Sequence, residues 1–242
     1  MEQNTGSAAQ LNAQSDLTLY GYFRSSASYR VRIALNLKGL AYENVSVHLV
    51  KNGGEQFSES FRSLNPDALV PALVCHQRNQ GGVVDHDQEI SMSQSLAIME
   101  FLEEKYPKPA LLPVNLTDRA YVRAIALSIA CEIHPLNNLR VLRYLTKTLG
   151  VSEEQKNTWY QHWCMSGLEV LEHKLANDQS SSEFCFGDAP TLADCCLIPQ
   201  IANAQRFHCD LSAMPTLMGI HQRCLTLEPF RRAMPENQPD AE

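Results

Sequence analysis

Three serines and two arginines crowd into seven positions of this chain, Arg24-Ser25-Ser26-Ala27-Ser28-Tyr29-Arg30. Upstream, residues 17–23 alternate as a strand does; downstream, Val31, Ile33, Ala34, Leu35 and Leu37 recur as one face of a helix. A hydroxyl at such a strand-to-helix turn can donate its proton to an anion, and the helix N-terminus adds positive partial charge. A sulfur held there is favoured as thiolate, the nucleophilic form of a thiol. Ser25 and Ser26 can equally be plain helix caps, and position alone favours that use. Gln94-Ser95 opens a second predicted helix, where an amide, a hydroxyl and backbone donors can either hold a carboxylate or cap the helix. Arg24, Arg140, Arg143 and Arg206 carry forks that match carboxylates, though most arginines are solvated surface charges.

These groups need a frame. The helix that starts at Ser25 or Ser26 closes at Gly39, and residues 42–49 read as a second strand, so the chain opens with a βαβ unit and a right-handed crossover. A polar segment runs through Asn65-Pro66. Residues 71–75 and 82–90 then read as two short strands across a glycine-containing turn, followed by a helix over 93–106 with Leu96, Met99 and Leu102 facing inward. The order βαβ, ββα is that of a thioredoxin-like domain. Lys105-Tyr106-Pro107-Lys108-Pro109 breaks it, and beyond Pro113 only helical periods remain. Asn115, with Asp118 three residues on, caps a helix predicted to run through Thr146 and to bend at Pro135. Ser152 caps another, striped by Leu168, Leu171 and Leu175, and Thr191-Leu192-Ala193-Asp194 reads as the capping box of a final helix. The expected fold class is α/β plus all-α, divided into a disordered leader (1–15), a thioredoxin-like domain (16–106), a linker (107–114) and an all-helical domain (115–242).

Hydrophobic residues make up 44% of the 242, enough for one large core or two smaller ones. The formal charge of -7 gives no reason to meet phosphate backbones or anionic lipid. No run approaches the roughly 20 apolar residues of a membrane span, and no basic flank precedes an apolar run at the N-terminus. The expectation is a soluble, cytoplasmic protein with no nucleic-acid or membrane partner. Its eight cysteines, at 75, 131, 164, 185, 195, 196, 209 and 224, show no metal-ligand spacing, so no metal is expected. Apolar neighbours at Cys131, Cys195 and Cys196 predict reduced, buried thiols.

The stretch Ser25-Ser26-Ala27-Ser28-Tyr29-Arg30-Val31-Arg32-Ile33-Ala34-Leu35 closely resembles the signature of zeta-class glutathione transferases. The resemblance continues through Asn65-Pro66, Val70-Pro71, Gln94 to Ile98 and Phe186 to Asp194, and covers nearly everything after residue 16. That family includes maleylacetoacetate and maleylpyruvate isomerases. The resemblance implies the glutathione transferase fold, glutathione as cofactor and a small dicarboxylate as substrate. It assigns Ser25, with Ser26 beside it, to the glutathione sulfur. It makes Val70-Pro71 a cis bond facing the cysteinyl backbone, and places the γ-glutamyl carboxylate at Gln94 and Ser95. Arg206 and Arg24 would hold and polarise substrate carboxylates, and His134, Asn138 and Arg140 could share that cleft. The implied reaction is cis-trans isomerisation of maleylacetoacetate to fumarylacetoacetate in tyrosine and phenylalanine catabolism, by thiolate addition, bond rotation and elimination. Maleylpyruvate isomerase, a conjugating transferase and a non-catalytic binding module are the alternatives. The family usually forms homodimers. One departure is Ala27, where the family usually has cysteine; it weakens the broad transferase reading and leaves the hydroxyls in place.

Overall fold

A computed structural model describes residues 15–78, 84–178 and 180–242. The expected leader and the glycine-containing turn before the fourth strand lie outside the described residues. The N-terminal half runs β1 (Leu17–Gly21), α1 (Ser26–Leu37), β2 (Glu43–Ser46), a short α2 (Glu59–Leu64), β3 (Ala72–Arg78), β4 (Val84–Ser93) and α3 (Ser95–Lys105). The four strands form one sheet in the order β2-β1-β3-β4. β1 pairs parallel with β2, and the other two neighbours are antiparallel, with Leu19 opposite Leu73 and Leu73 opposite Met92. This is the thioredoxin-like arrangement that the sequence predicts.

β2 stops earlier than residue 49. The imidazole Nδ1 of His48 accepts the N–H groups of Val50 and Lys51, at 3.2 and 2.9 Å, and turns the chain out of the sheet. Two single 3₁₀ turns follow, Lys51–Gly53 and Glu55–Phe57, and Gly53 and Gly54 take positive φ where they meet. On α3 the inward stripe is Ile98, Met99 and Leu102, while Leu96 is half-buried.

The C-terminal half is helical: α4 (Leu116–Leu127), α5 (Leu139–Lys147), α6 (Glu153–Ala176), α7 (Leu192–Arg206), α8 (Pro215–Leu225) and α9 (Glu228–Ala233). The helix expected through Thr146 is two helices rather than one bent helix. α4 loosens into a π-helical stretch, Ser128–Ile133, and Pro135 starts a 3₁₀ turn, Pro135–Asn137. Proline has no N–H to continue the ladder and its ring crowds the preceding turn, so the chain breaks instead of bending. Asn138 then restarts it by accepting the Arg140 N–H at 3.1 Å. Thr191 and Asp194 do form a capping box, but α7 is not the last helix. The Asp194 carboxylate, fully buried, accepts the N–H groups of Thr191 and Cys185. Leu168, Leu171 and Leu175 are buried along α6 as expected.

One core runs through both halves, from Leu19, Leu35 and Leu73 through Met99 and Ile125 to Leu168 and Ile198; a small second cluster of Val47, Phe61 and Ala72 also forms. α1 packs against α3, α7 and α9, so residues 28–35 are buried all round, Arg30 and Arg32 included. Where the N-terminal half meets the connection to the next, a buried ion pair joins the end of α1 to α3. Lys38 Nζ donates to Glu103 at 2.7 Å and to the carbonyls of Tyr106 and Pro109, while the Glu103 carboxylate also accepts the N–H groups of Leu111 and Leu112. The connection that composition marked as a breaker is thus tied to both α1 and α3. Seven of the eight cysteines are buried or half-buried and all are free; Cys131, within the π-helical stretch, is exposed, against expectation. No helix among the described residues is long and apolar enough to cross a membrane.

Candidate active site

The turn from β1 into α1 is fixed from three sides. Ser25 N–H donates to the Tyr22 carbonyl at 2.9 Å. Beneath it, the guanidinium of Arg32 donates to the carbonyls of Tyr22, Phe23 and Ala233. From the C-terminal segment, the Asp240 carboxylate accepts the Phe23 N–H at 3.1 Å. Burial lowers the Arg32 pKa to about 10, which leaves it charged at neutral pH. A rigid turn of this kind holds the two serines in place.

Their environments differ. Ser25 is the N-cap of α1, and its Oγ accepts the Ser28 N–H at 3.2 Å. Accepting through a lone pair leaves its own O–H free to donate, so capping and donation to a sulfur are compatible uses of one hydroxyl. Ser26 is buried, and its Oγ pairs with Nδ1 of His134 at 3.1 Å. Of the two hydroxyls, the one at Ser25 keeps its proton free to donate and the one at Ser26 is engaged.

Two adjoining cavities meet at this turn. The larger, about 480 Å³, lies between the halves; Arg24, Ser25, Ser26 and Val70 line it from one side, and His134, Asn138, Arg140 and Arg206 from the other. The smaller, about 180 Å³, shares Val70, His134, Asn138 and Arg140 and extends to Ala27, Pro71, Gln94 and Ser95. All the residues singled out in the sequence are thus brought to one pair of cavities. Arg143 also lines the larger one and donates to the Leu49 carbonyl at 2.7 Å, across the seam. Arg24 is exposed, with its guanidinium over the Phe23 ring. Arg206 is open to solvent through the cavity yet surrounded by protein atoms, which lowers its pKa, as does the Arg24 charge.

The smaller cavity has the features of an anion and peptide site. The Val70-Pro71 bond is cis. Buried Asn65 shapes the approach to it, donating to the Leu69 carbonyl at 2.7 Å and accepting the Asp67 N–H. Gln94 sits at φ 68°, ψ 111°, a conformation costing about 1–3 kcal/mol for a non-glycine residue and kept where surroundings impose it. Its side chain makes no capping bond, so the first N–H groups of α3 face the cavity mouth without that cap. Ser95 is buried, and its Oγ accepts from Arg30 at 3.3 Å.

Sequence reasoning missed Tyr22, Gln56, Tyr160 and Gln200, which line the larger cavity. Burial raises the Tyr22 pKa, so its phenol stays protonated. Gln56 stands in a segment read only as polar, and the apolar period of α6 and α7 hid Tyr160 and Gln200. No local signal marks any of them.

His134 follows the π-helical stretch and is half-buried in the wall of both cavities. Burial first, then the Arg30 and Arg140 charges, push its pKa down to about 3. It is therefore neutral near pH 7. An unfolded histidine takes up a proton below about 6.5 while folded His134 does so only near 3, so its contribution to stability is lost as pH falls between those values. Urea midpoints measured from pH 7 to pH 4 should fall less steeply for His134→Gln than for wild type. Parallel slopes would show that His134 titrates normally.

A thioredoxin-like half, a helical half and a hydroxyl-lined turn at their seam define a glutathione transferase, and the family described as glutathione S-transferase, N-terminal domain, matches residues 19–110. A probable maleylacetoacetate isomerase of Vibrio cholerae is 50% identical over 225 residues, covering 93% of this chain and 98% of that one. The holo structure of a maleylpyruvate isomerase, described as a bacterial zeta-class glutathione S-transferase, superposes with a TM-score of 0.83 at 45% identity over 93% of this chain and all of that one. The maleylacetoacetate isomerase of Methylobacterium extorquens AM1, with malonate and glutathione bound, gives 0.83 at 37% over 93% and 99%. The chain belongs to the zeta-class glutathione transferases, the family of the maleylacetoacetate isomerases.

Proposed function

We infer that this chain is a maleylacetoacetate isomerase, converting the cis dicarboxylate maleylacetoacetate into fumarylacetoacetate with glutathione as cofactor. The observation that carries the reading is the convergence of Ser25, Arg24 and Arg206 on one cavity beside the cis Val70-Pro71 corner. The smaller cavity fits the cofactor: Val70 offers backbone groups for a cysteinyl unit, and Ser95 with the α3 N-terminus suits a carboxylate. Bound there, glutathione supplies the thiolate that adds to the cis alkene and is eliminated after bond rotation.

The protein's own residues prepare and steer that chemistry. Ser25 donates to the sulfur at the N-terminus of α1, and both effects favour the anion at neutral pH. Arg206 and Arg24 grip substrate carboxylates and stabilise charge that spreads onto the substrate oxygen during addition. Neutral His134 holds Ser26, and Asn138 and Arg140 complete the wall shared by cofactor and substrate. Aromatic amino-acid catabolism in the cytoplasm, by a homodimer, is the setting we propose. Ala27 and the relative named a maleylpyruvate isomerase favour that shorter substrate as the second reading.

The test is an assay with maleylacetoacetate with and without glutathione, with maleylpyruvate in parallel. Isomerisation is expected only with glutathione, and at higher kcat/KM for maleylacetoacetate. A product that retains glutathione would identify a conjugating transferase, and no turnover with either substrate would overturn the reading.

A further inference from the structure

α1 carries two buried arginines two residues apart, and the fold treats them differently. Arg32 uses all three of its nitrogens on backbone carbonyls. Arg30, 2% exposed, makes one bond, from Nη1 to the Ser95 hydroxyl. Its Nε and Nη2 are buried with no protein partner, and no carboxylate pairs with it among the described residues. A buried, unpaired cation is strongly unfavourable unless it has another use. Burial accordingly lowers its pKa.

The use is legible in the geometry. Arg30 lines the smaller cavity together with Gln94 and Ser95. By taking one lone pair of Ser95 Oγ, it leaves that hydroxyl to donate outward and strengthens it as a donor. The N-terminus of the 11-residue α3, with no side-chain cap, adds its partial positive charge at the same place. Hydroxyl, helix terminus and buried cation therefore converge on one anion.

We propose that Arg30 is the positioning residue for glutathione binding: acting through Ser95, it holds the γ-glutamyl α-carboxylate, whose charge in turn compensates the buried guanidinium. The inference rests on the glutathione reading above. It predicts a trade: the ligand-free protein carries an unfavourable charge that the bound protein does not.

Arg30→Met keeps the length and removes the charge; Arg30→Lys keeps the charge and loses the fork. Calorimetric Kd values for glutathione, and for the analogue with that carboxylate replaced by hydrogen, are to be measured on each variant, with ligand-free Tm. Wild type should bind glutathione about 10- to 100-fold more tightly than Arg30→Met does, the range for a hydrogen bond to a charged group. The two proteins should bind the analogue equally, Arg30→Lys should recover part of the loss, and the ligand-free Tm of Arg30→Met should equal or exceed that of wild type. Unchanged glutathione affinity in Arg30→Met, or an equal loss for glutathione and analogue, would overturn the proposal. So would a lower Tm with affinity intact, which is the mark of a structural arginine. Failure of wild type itself to bind glutathione at millimolar concentration would instead remove the functional reading on which this one stands.

Discussion

Replacing Ser25 by alanine should lower kcat for isomerisation about 10²- to 10³-fold, the usual consequence of deleting one preorganised donor to a developing anion. The fixed turn beneath it holds the hydroxyl in place, and among the described residues the one bond it makes is one it accepts. Because Ser25 also caps α1, the variant should lose about 1 kcal/mol of stability as well. Two controls separate the effects. Ser26→Ala removes a hydroxyl already engaged with His134 and should cost far less turnover. Titration of bound glutathione by thiolate absorbance should show its sulfur pKa rise in Ser25→Ala and stay nearly constant in Ser26→Ala. Full turnover in Ser25→Ala would mean that another donor, such as Tyr22 in the same cavity, serves the sulfur.

Glu103→Ala should cost about 3–5 kcal/mol of stability, because it strands the buried Lys38 cation. It also leaves the N–H groups of Leu111 and Leu112 without their acceptor at the junction of the halves. At this chain length such a loss corresponds to a Tm lower by roughly 10 °C. Lys38→Met should cost less, since the carboxylate keeps two backbone donors. Equal losses for the two variants, by urea denaturation, would show that the pair acts only as an ion pair and not as the anchor of the linker.

Much of the frame was readable because it rests on local rules. Alternation in 17–23, the helix period after Ser25, the cap at Ser152, the capping box at Thr191 and the leucine stripe of α6 each depend on neighbours a few residues apart. The cis bond at Val70-Pro71 and the roles near Gln94 came through resemblance, since no local pattern distinguishes a cis from a trans proline. What escaped depends on distant partners. Lys38 and Glu103 are separated by 65 positions, and only the fold joins them. Arg30 reads as a polar residue of a surface helix until the fold buries it and brings Ser95 to it. The break between α4 and α5 was signalled by Pro135, but whether proline bends or interrupts a helix depends on the Asn138 cap that lets a new one begin. Cys131 reads as buried from its apolar neighbours and is exposed, in a π-helical stretch that no local pattern marks.

The seam between the halves carries an evolutionary implication. In the proposed function, sulfur activation belongs to the strand-turn-helix of one half, whereas Arg206, Asn138 and Arg140 line the same cavity from the other. Selection can therefore reshape the acceptor side for a new electrophile without rebuilding the nucleophile, and one ancestral thiol-activating cassette can serve many substrates. The Ser26–His134 hydrogen bond is where that independence ends: a lineage that alters His134 to admit a different acceptor must also settle what becomes of the serine next to the reacting sulfur.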